Sequence, residues 1–173
     1  MAPEPAFDPR PILQALQDHS VDFIVVGVMA AVAQGAPVYT RDLDVTPSSA
    51  ADNYGRLAEA LRTIDAKLRL PDGEALEFPI EARFLAGNTA CTLLTRTGVL
   101  DLVYIPAGTR GYEDLRRNAV ELDLGTGHPA LVASLIDVIR MKEAAGRPKD
   151  EATLPALRQT LEVIREREAR DKG

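Results

Sequence analysis

Asp42 and Asp44 stand two residues apart in the segment RDLDVT, Arg41 to Thr46, where Leu43 and Val45 alternate with them. On an extended strand, side chains two apart leave the same face, so both carboxylates point one way while Leu43 and Val45 point into the interior. Like charges held that close repel unless a cation or a proton relieves them. Magnesium accepts a few carboxylates together with water and phosphate oxygens, which makes the pair half of a metal site. Asp101 supplies a third carboxylate inside LDLVYI, Leu100 to Ile105, where an apolar run seldom carries an unpaired acid. If the two strands are neighbours, three carboxylates converge and suffice for one or two magnesium ions and an in-line phosphoryl transfer. Short acidic pairs also occur as ordinary polar strand edges, and Asp101 has a second reading as a hairpin or helix-cap partner. Arg41 either neutralises the acidic pair or contacts a phosphate.

These acids need a sheet to hold them. Val21 to Gly27, VDFIVVG, is a dense β-branched and aromatic run halted by glycine and is predicted to be a core strand buried on both faces. At its end Val28, Met29 and Ala30 present backbone N–H groups, a junction suited to the β and γ phosphates of a triphosphate. An alanine-rich helix over Met29 to Gln34 follows, closed by Gly35. Helices are also predicted over Pro9 to Asp18 and Ala50 to Ile64, the second capped by Ser48 or Ser49. Further strands are expected at Ala82 to Leu85, Ala90 to Thr95, Val99 to Ile105 and Val120 to Leu124, with a hairpin at Gly87-Asn88. The last third reads as two helices, Pro129 to Ala145 and Asp150 to about Arg170, divided by Gly146-Arg147-Pro148. The whole predicts an α/β (α+β) fold: a small mixed β-sheet, helices packed on one side, and a C-terminal helical pair closing a cleft.

With 173 residues the chain is expected to form a single domain over 1–173, with a flexible leader at 1–10 and the C-terminal helical part at 129–170. A net charge of -6 argues against a protein that coats nucleic acid through a broad basic face, although a local basic patch can still guide RNA. No apolar run approaches the roughly 20 residues of a membrane span, and no secretory signal is evident, so a cytoplasmic location without membrane contact is expected. Cys91 is the only cysteine and has no histidine partner, so it reads as a small core residue rather than a nucleophile. His19 and His128 read as ordinary polar residues, and any metal must sit on oxygen ligands.

The order of strand, glycine turn, short helix and acidic strand, FIVVGVMAAVAQGAPVYTRDLDV, resembles the opening of the nucleotidyltransferases of the DNA polymerase β superfamily. It is similar in particular to the AbiEii-like bacterial nucleotidyltransferases, several of which are toxins of toxin-antitoxin systems. SLIDVIRMKEAAGRPKDEATLPALR resembles their C-terminal motif, with Lys142, Arg147, Lys149 and Asp150 in place. The resemblance implies transfer of a nucleoside monophosphate from a triphosphate such as ATP to a hydroxyl, with Mg2+ as cofactor. It implies Asp42, Asp44 and Asp101 as metal ligands and catalytic acids, Asp101 helping to activate the attacking hydroxyl. Gly27, Val28 and Arg41 would contact the nucleotide, and Lys142 would reach the triphosphate or the acceptor. RNA, such as the 3′ end of a tRNA, is the implied acceptor, with a protein side chain or a small molecule such as an aminoglycoside also open, and an antitoxin is the implied partner. The family shows Gly-Gly or Gly-Ser where this chain has Gly27-Val28, so phosphate binding at the turn must rest on backbone amides, and a binding or regulatory protein of this fold with weakened or lost catalysis is the alternative reading.

Overall fold

A computed structural model describes residues 6–173. The leader expected at 1–10 lies outside the described residues at 1–5; beyond them, Phe7 packs on the core against Gly98, and the Asp8 amide donates to the Thr97 carbonyl at 2.8 Å. α1 (Arg10–Asp18) then seals the core with Ile12, Leu13 and Leu16, all fully buried. Among the described residues, no helix is long and apolar enough to cross a membrane.

β1 (Phe23–Val26) is buried along its whole length, as its unbroken FIVV run requires of a strand with neighbours on both sides and layers on both faces. It runs straight into α2 (Gly27–Ala33). β2 (Asp42–Pro47) pairs antiparallel with β1, Val26 lying opposite Asp44. α3 (Ala51–Thr63) follows, and after it the chain makes β3 (Lys67–Arg69) and β4 (Ala75–Leu76), joined through the turn at 71–73 that the sequence marks with proline and glycine. α4 (Ala82–Ala86), β5 (Ala90–Thr95) and β6 (Gly98–Val103) come next, β5 and β6 forming an antiparallel hairpin. α5 (Tyr112–Arg116), β7 (Val120–Asp123) and β8 (Pro129–Val132) precede the closing helices α6 (Leu135–Ala145) and α7 (Pro148–Asp171). The eight strands make one mixed sheet in the order β4-β3-β5-β6-β2-β1-β8-β7. Its centre is parallel at two places, β2 with β6 and β1 with β8, and antiparallel elsewhere.

Four expectations need correction. Ala82 to Leu85 is helix α4, not a strand: ARFLA is composed largely of helix formers, buries only Leu85 and packs on α3 instead of joining the sheet. The hairpin expected at Gly87-Asn88 is the end of that helix, where the Asn88 side chain donates to the Phe84 carbonyl at 2.6 Å; the hairpin turn lies between Thr95 and Gly98. Pro129 to Val132 is strand β8, not the first turn of a helix. Leu131 pairs with Ile24 in parallel, Ala130 and Val132 are buried, and the helix begins only after Ser134, whose hydroxyl accepts from the Asp137 amide at 3.2 Å. Neither Ser48 nor Ser49 caps α3; Ala50 holds the cap position with no side-chain bond.

Asn53, fully buried in the first turn of α3, takes over that anchoring. Its amide donates to the carbonyls of Asp22 and Ser48, both at 2.9 Å, and its oxygen accepts from the Asp22 amide at 2.8 Å. One side chain thus ties the start of α3 to the entrance of β1 and the exit of β2. Asn53→Ala leaves buried backbone groups without partners and is expected to lower stability by about 2–4 kcal/mol; urea unfolding checks it, and a loss below about 1 kcal/mol would show that the tie is dispensable.

Candidate active site

Alternation along β2 and β6 sorts the side chains of each strand onto two faces. Leu43, Val45, Leu100 and Leu102 are fully buried, and Asp42, Asp44 and Asp101 leave the opposite face, half-buried. Parallel pairing of β2 with β6 sets Asp44 directly opposite Asp101 and Asp42 opposite Val99. One carboxylate oxygen from each of the three acids lies within 4.8 Å of the others, an all-oxygen set that fits a hard divalent cation. Two hydroxyls orient the outer pair: Thr40 donates to Asp42 Oδ1 at 2.6 Å, and Thr92, opposite Asp101 on β5, donates to Asp101 Oδ1 at 2.5 Å.

The electrostatic consequence falls on Asp44, the middle acid. Burial, then the charges of Asp42 and Asp101 and a hydrogen bond shared with Asp101, push its carboxyl up to about 8; Lys149 works against the shift. At neutral pH the trio therefore holds a proton where a cation could sit instead. Gly27 completes the floor. It adopts a left-handed φ of +67°, and a Cβ placed there would lie 2.1 Å from Asp44 Oδ2, so glycine is required both by the backbone and by the acid packed against it.

The three acids and the Gly27-Val28 turn line a cleft of about 930 Å³, whose far wall is α6 and the start of α7. Lys142 lies on that wall, almost buried, its ammonium 3.0 Å from Asp150 Oδ1. Arg147 grips the same carboxylate through Nε at 2.6 Å and a second nitrogen at 3.2 Å. Burial alone would raise the Asp150 carboxyl; the hydrogen bonds from Arg147 and Lys142 outweigh it and hold it below the usual range. Asp150, in the first turn of α7, thus seats two cations at the cleft wall. Arg41 and Lys149 line the cleft as well.

Gly27, Val28, Arg41, Asp42, Asp44, Asp101 and Lys142, singled out from the sequence for the nucleotide or the metal, therefore meet at one cleft, whereas Met29 and Ala30, expected to share the phosphates with Val28, are not among its lining residues. Cys91 also lines it, but burial and then Asp101 push its thiol up to about 11, so it stays protonated, as expected of a core residue. Neither histidine is among the lining residues. Thr40 and Thr92 escaped the sequence reading; a threonine two residues before Asp42 is a visible signal, whereas Thr92 is found only through the strand pairing. Tyr39, at the cleft mouth, escaped it too.

No family model matches the sequence, and no curated protein is similar to it. Solved structures are similar in shape. ANT(2″)-Ia, an antibiotic-resistance factor, superposes in a solution structure with a TM-score of 0.54 at 17% identity, over 94% of this chain and 91% of that one. A crystal structure of ANT(2″)-Ia in complex with adenylyl-2″-tobramycin gives 0.56 at 16% identity, over 94% and 95%. A Thermotoga maritima protein described as a nucleotidyltransferase gives 0.52 at 16% identity, over 84% and 87%. The chain has the nucleotidyltransferase fold.

The raised carboxyl of Asp44 has a measurable sign. Its folded value lies above the unfolded 3.8, so the stability it contributes is complete below pH 3.8 and is lost as pH rises through about 8. In chelator, Asp44→Asn is expected to melt at a higher temperature than the parent at pH 8, and magnesium is expected to raise the melting temperature of the parent but not of the variant. A parent protein indifferent to magnesium from pH 7 to 9 would refute the metal assignment.

Proposed function

We propose that the protein is an enzyme, a magnesium-dependent nucleotidyltransferase that moves a nucleoside monophosphate from a nucleoside triphosphate to a hydroxyl and releases pyrophosphate. One observation carries the reading: three carboxylates from two parallel strands, their oxygens within 4.8 Å, beside a glycine turn in a cleft large enough for a nucleotide. Asp42, Asp44 and Asp101 would hold magnesium, which supplies charge neutralisation at the reacting phosphate. Asp101, oriented by Thr92, accepts the proton of the acceptor hydroxyl. The amides of the Gly27-Val28 turn receive the outer phosphates, with Arg41 and Lys142 completing the charge balance.

The lining bears on the acceptor. Among the described residues its carboxylates are the three acids and Asp150, and Asp150 already holds two cations. A polycation such as tobramycin, carried as an adenylyl adduct by the neighbouring fold, would find no free acidic wall, whereas Arg41 and Lys149 favour an anionic acceptor. This supports RNA, with the 3′ end of a tRNA as the specific expectation. The AbiEii-like resemblance extends the proposal to a toxin acting in the cytoplasm and restrained by an antitoxin. Val28 favours a second reading, a nucleotide-binding regulator that has lost catalysis, because its side chain stands where the family has glycine or serine.

Incubating the full chain with magnesium, labelled triphosphates and total RNA separates the two. Transfer of label is expected, reduced on the order of a hundredfold or more in Asp44→Ala and about tenfold in Thr92→Val, which removes only the hydroxyl orienting Asp101. Binding of triphosphate with no transfer would establish the regulator; neither binding nor transfer would end both readings.

A further inference from the structure

Tyr39 is the sole aromatic side chain among the described residues lining the acidic cleft, and it is 77% exposed. A single exposed apolar residue is ordinary, but three further observations set this one apart. The guanidinium carbon of Arg41 lies over the Tyr39 ring, 6.0 Å from its centroid, so the cation backs one face of a plate whose other face is left for stacking. Thr40, between them in sequence, donates through its hydroxyl to the backbone oxygen of Asp42 at 3.1 Å and to its carboxylate at 2.6 Å, which ties the plate to the first acid. Tyr39 is only three residues from Asp42, so their Cα atoms lie at most about 10 Å apart, and both residues line the same cleft.

We propose that Tyr39, backed on one face by Arg41, is the plate on which a nucleobase stacks while its phosphate lies at Asp42, Asp44 and Asp101. The proposal rests on the nucleotide-transfer reading and adds to it the residue that grips the base. Every base has a π-face, so such a plate contributes affinity without preference among the four bases. The base belongs either to the incoming triphosphate or to the acceptor strand; the chemistry at the ring is the same.

Calorimetry with magnesium tests it, using the full chain, Tyr39→Ala and Tyr39→Phe against three probes: ATP, inorganic tripolyphosphate and a short single-stranded oligoribonucleotide. Tyr39→Ala is expected to weaken ATP or the oligonucleotide roughly tenfold, and whichever weakens shows whose base is stacked. Tripolyphosphate, which has no base, is expected to bind the parent and Tyr39→Ala equally, and Tyr39→Phe is expected to keep the parent affinity. If Tyr39→Ala binds both base-bearing probes as the parent does, or loses tripolyphosphate to the same extent, the stacking role is overturned while nucleotide transfer stands. If the parent binds neither ATP nor the oligonucleotide, the transfer reading itself falls and takes the plate with it.

Discussion

Three carboxylates held within 4.8 Å of one another is the constraint around which the molecule is arranged. At an effective dielectric near 20, each fully charged pair at that range costs about 3 kcal/mol, a large part of the 5–15 kcal/mol by which a domain is stable. The chain accepts this because the same strands bury Leu43, Val45, Leu100 and Leu102 on the reverse face, each contributing about 1.5–3 kcal/mol. Moving an acid away would require slipping a strand, and a slip of one residue would send those leucines and the valine into the cleft. Apolar packing on one face thus keeps the repulsion in place on the other. A proton on Asp44 is one relief and a divalent cation is the other.

The rest of the cleft follows from that arrangement. β8 lies beside β1 in parallel, and its end delivers Ser134 as the cap of α6, so the helix starts where Lys142, two turns on, comes to rest on the cleft wall. An almost buried ammonium there demands a counter-charge, and Asp150 from the first turn of α7 supplies it. That ion pair binds the two last helices together and leaves Arg147 largely in solvent at the edge of the cleft. Gly27 connects the two sides of the site: it ends the buried strand, turns the chain into α2, and leaves room for Asp44 that no other residue would leave.

How much of this is legible without coordinates varies with the range of the forces involved. The buried FIVV strand, its halt at Gly27 and the shared face of Asp42 and Asp44 are local matters, set by a two-residue period and a β-branched run, whereas the left-handed φ of Gly27 and its contact with Asp44 come from the fold. A short apolar segment between turn signals suits a strand as well as a helix, and only its contact with α3 makes Ala82–Ala86 the helix α4. β8 is the converse case: PALV carries no intrinsic preference strong enough to resist pairing with β1 on one side and β7 on the other.

Local chemistry therefore determined the elements that carry acids and glycine, and those elements carry the resemblance from which the nucleotidyltransferase expectation came. Tertiary structure alone decided that Asp101 faces Asp44 across a parallel pair, that Thr92 orients it from the next strand, and that Tyr39 stands at the mouth. The physical reason is that strand order is chosen by the summed burial of residues far apart in the chain. A carboxylate's neighbours across the sheet are written in that sum and nowhere in its own stretch of sequence.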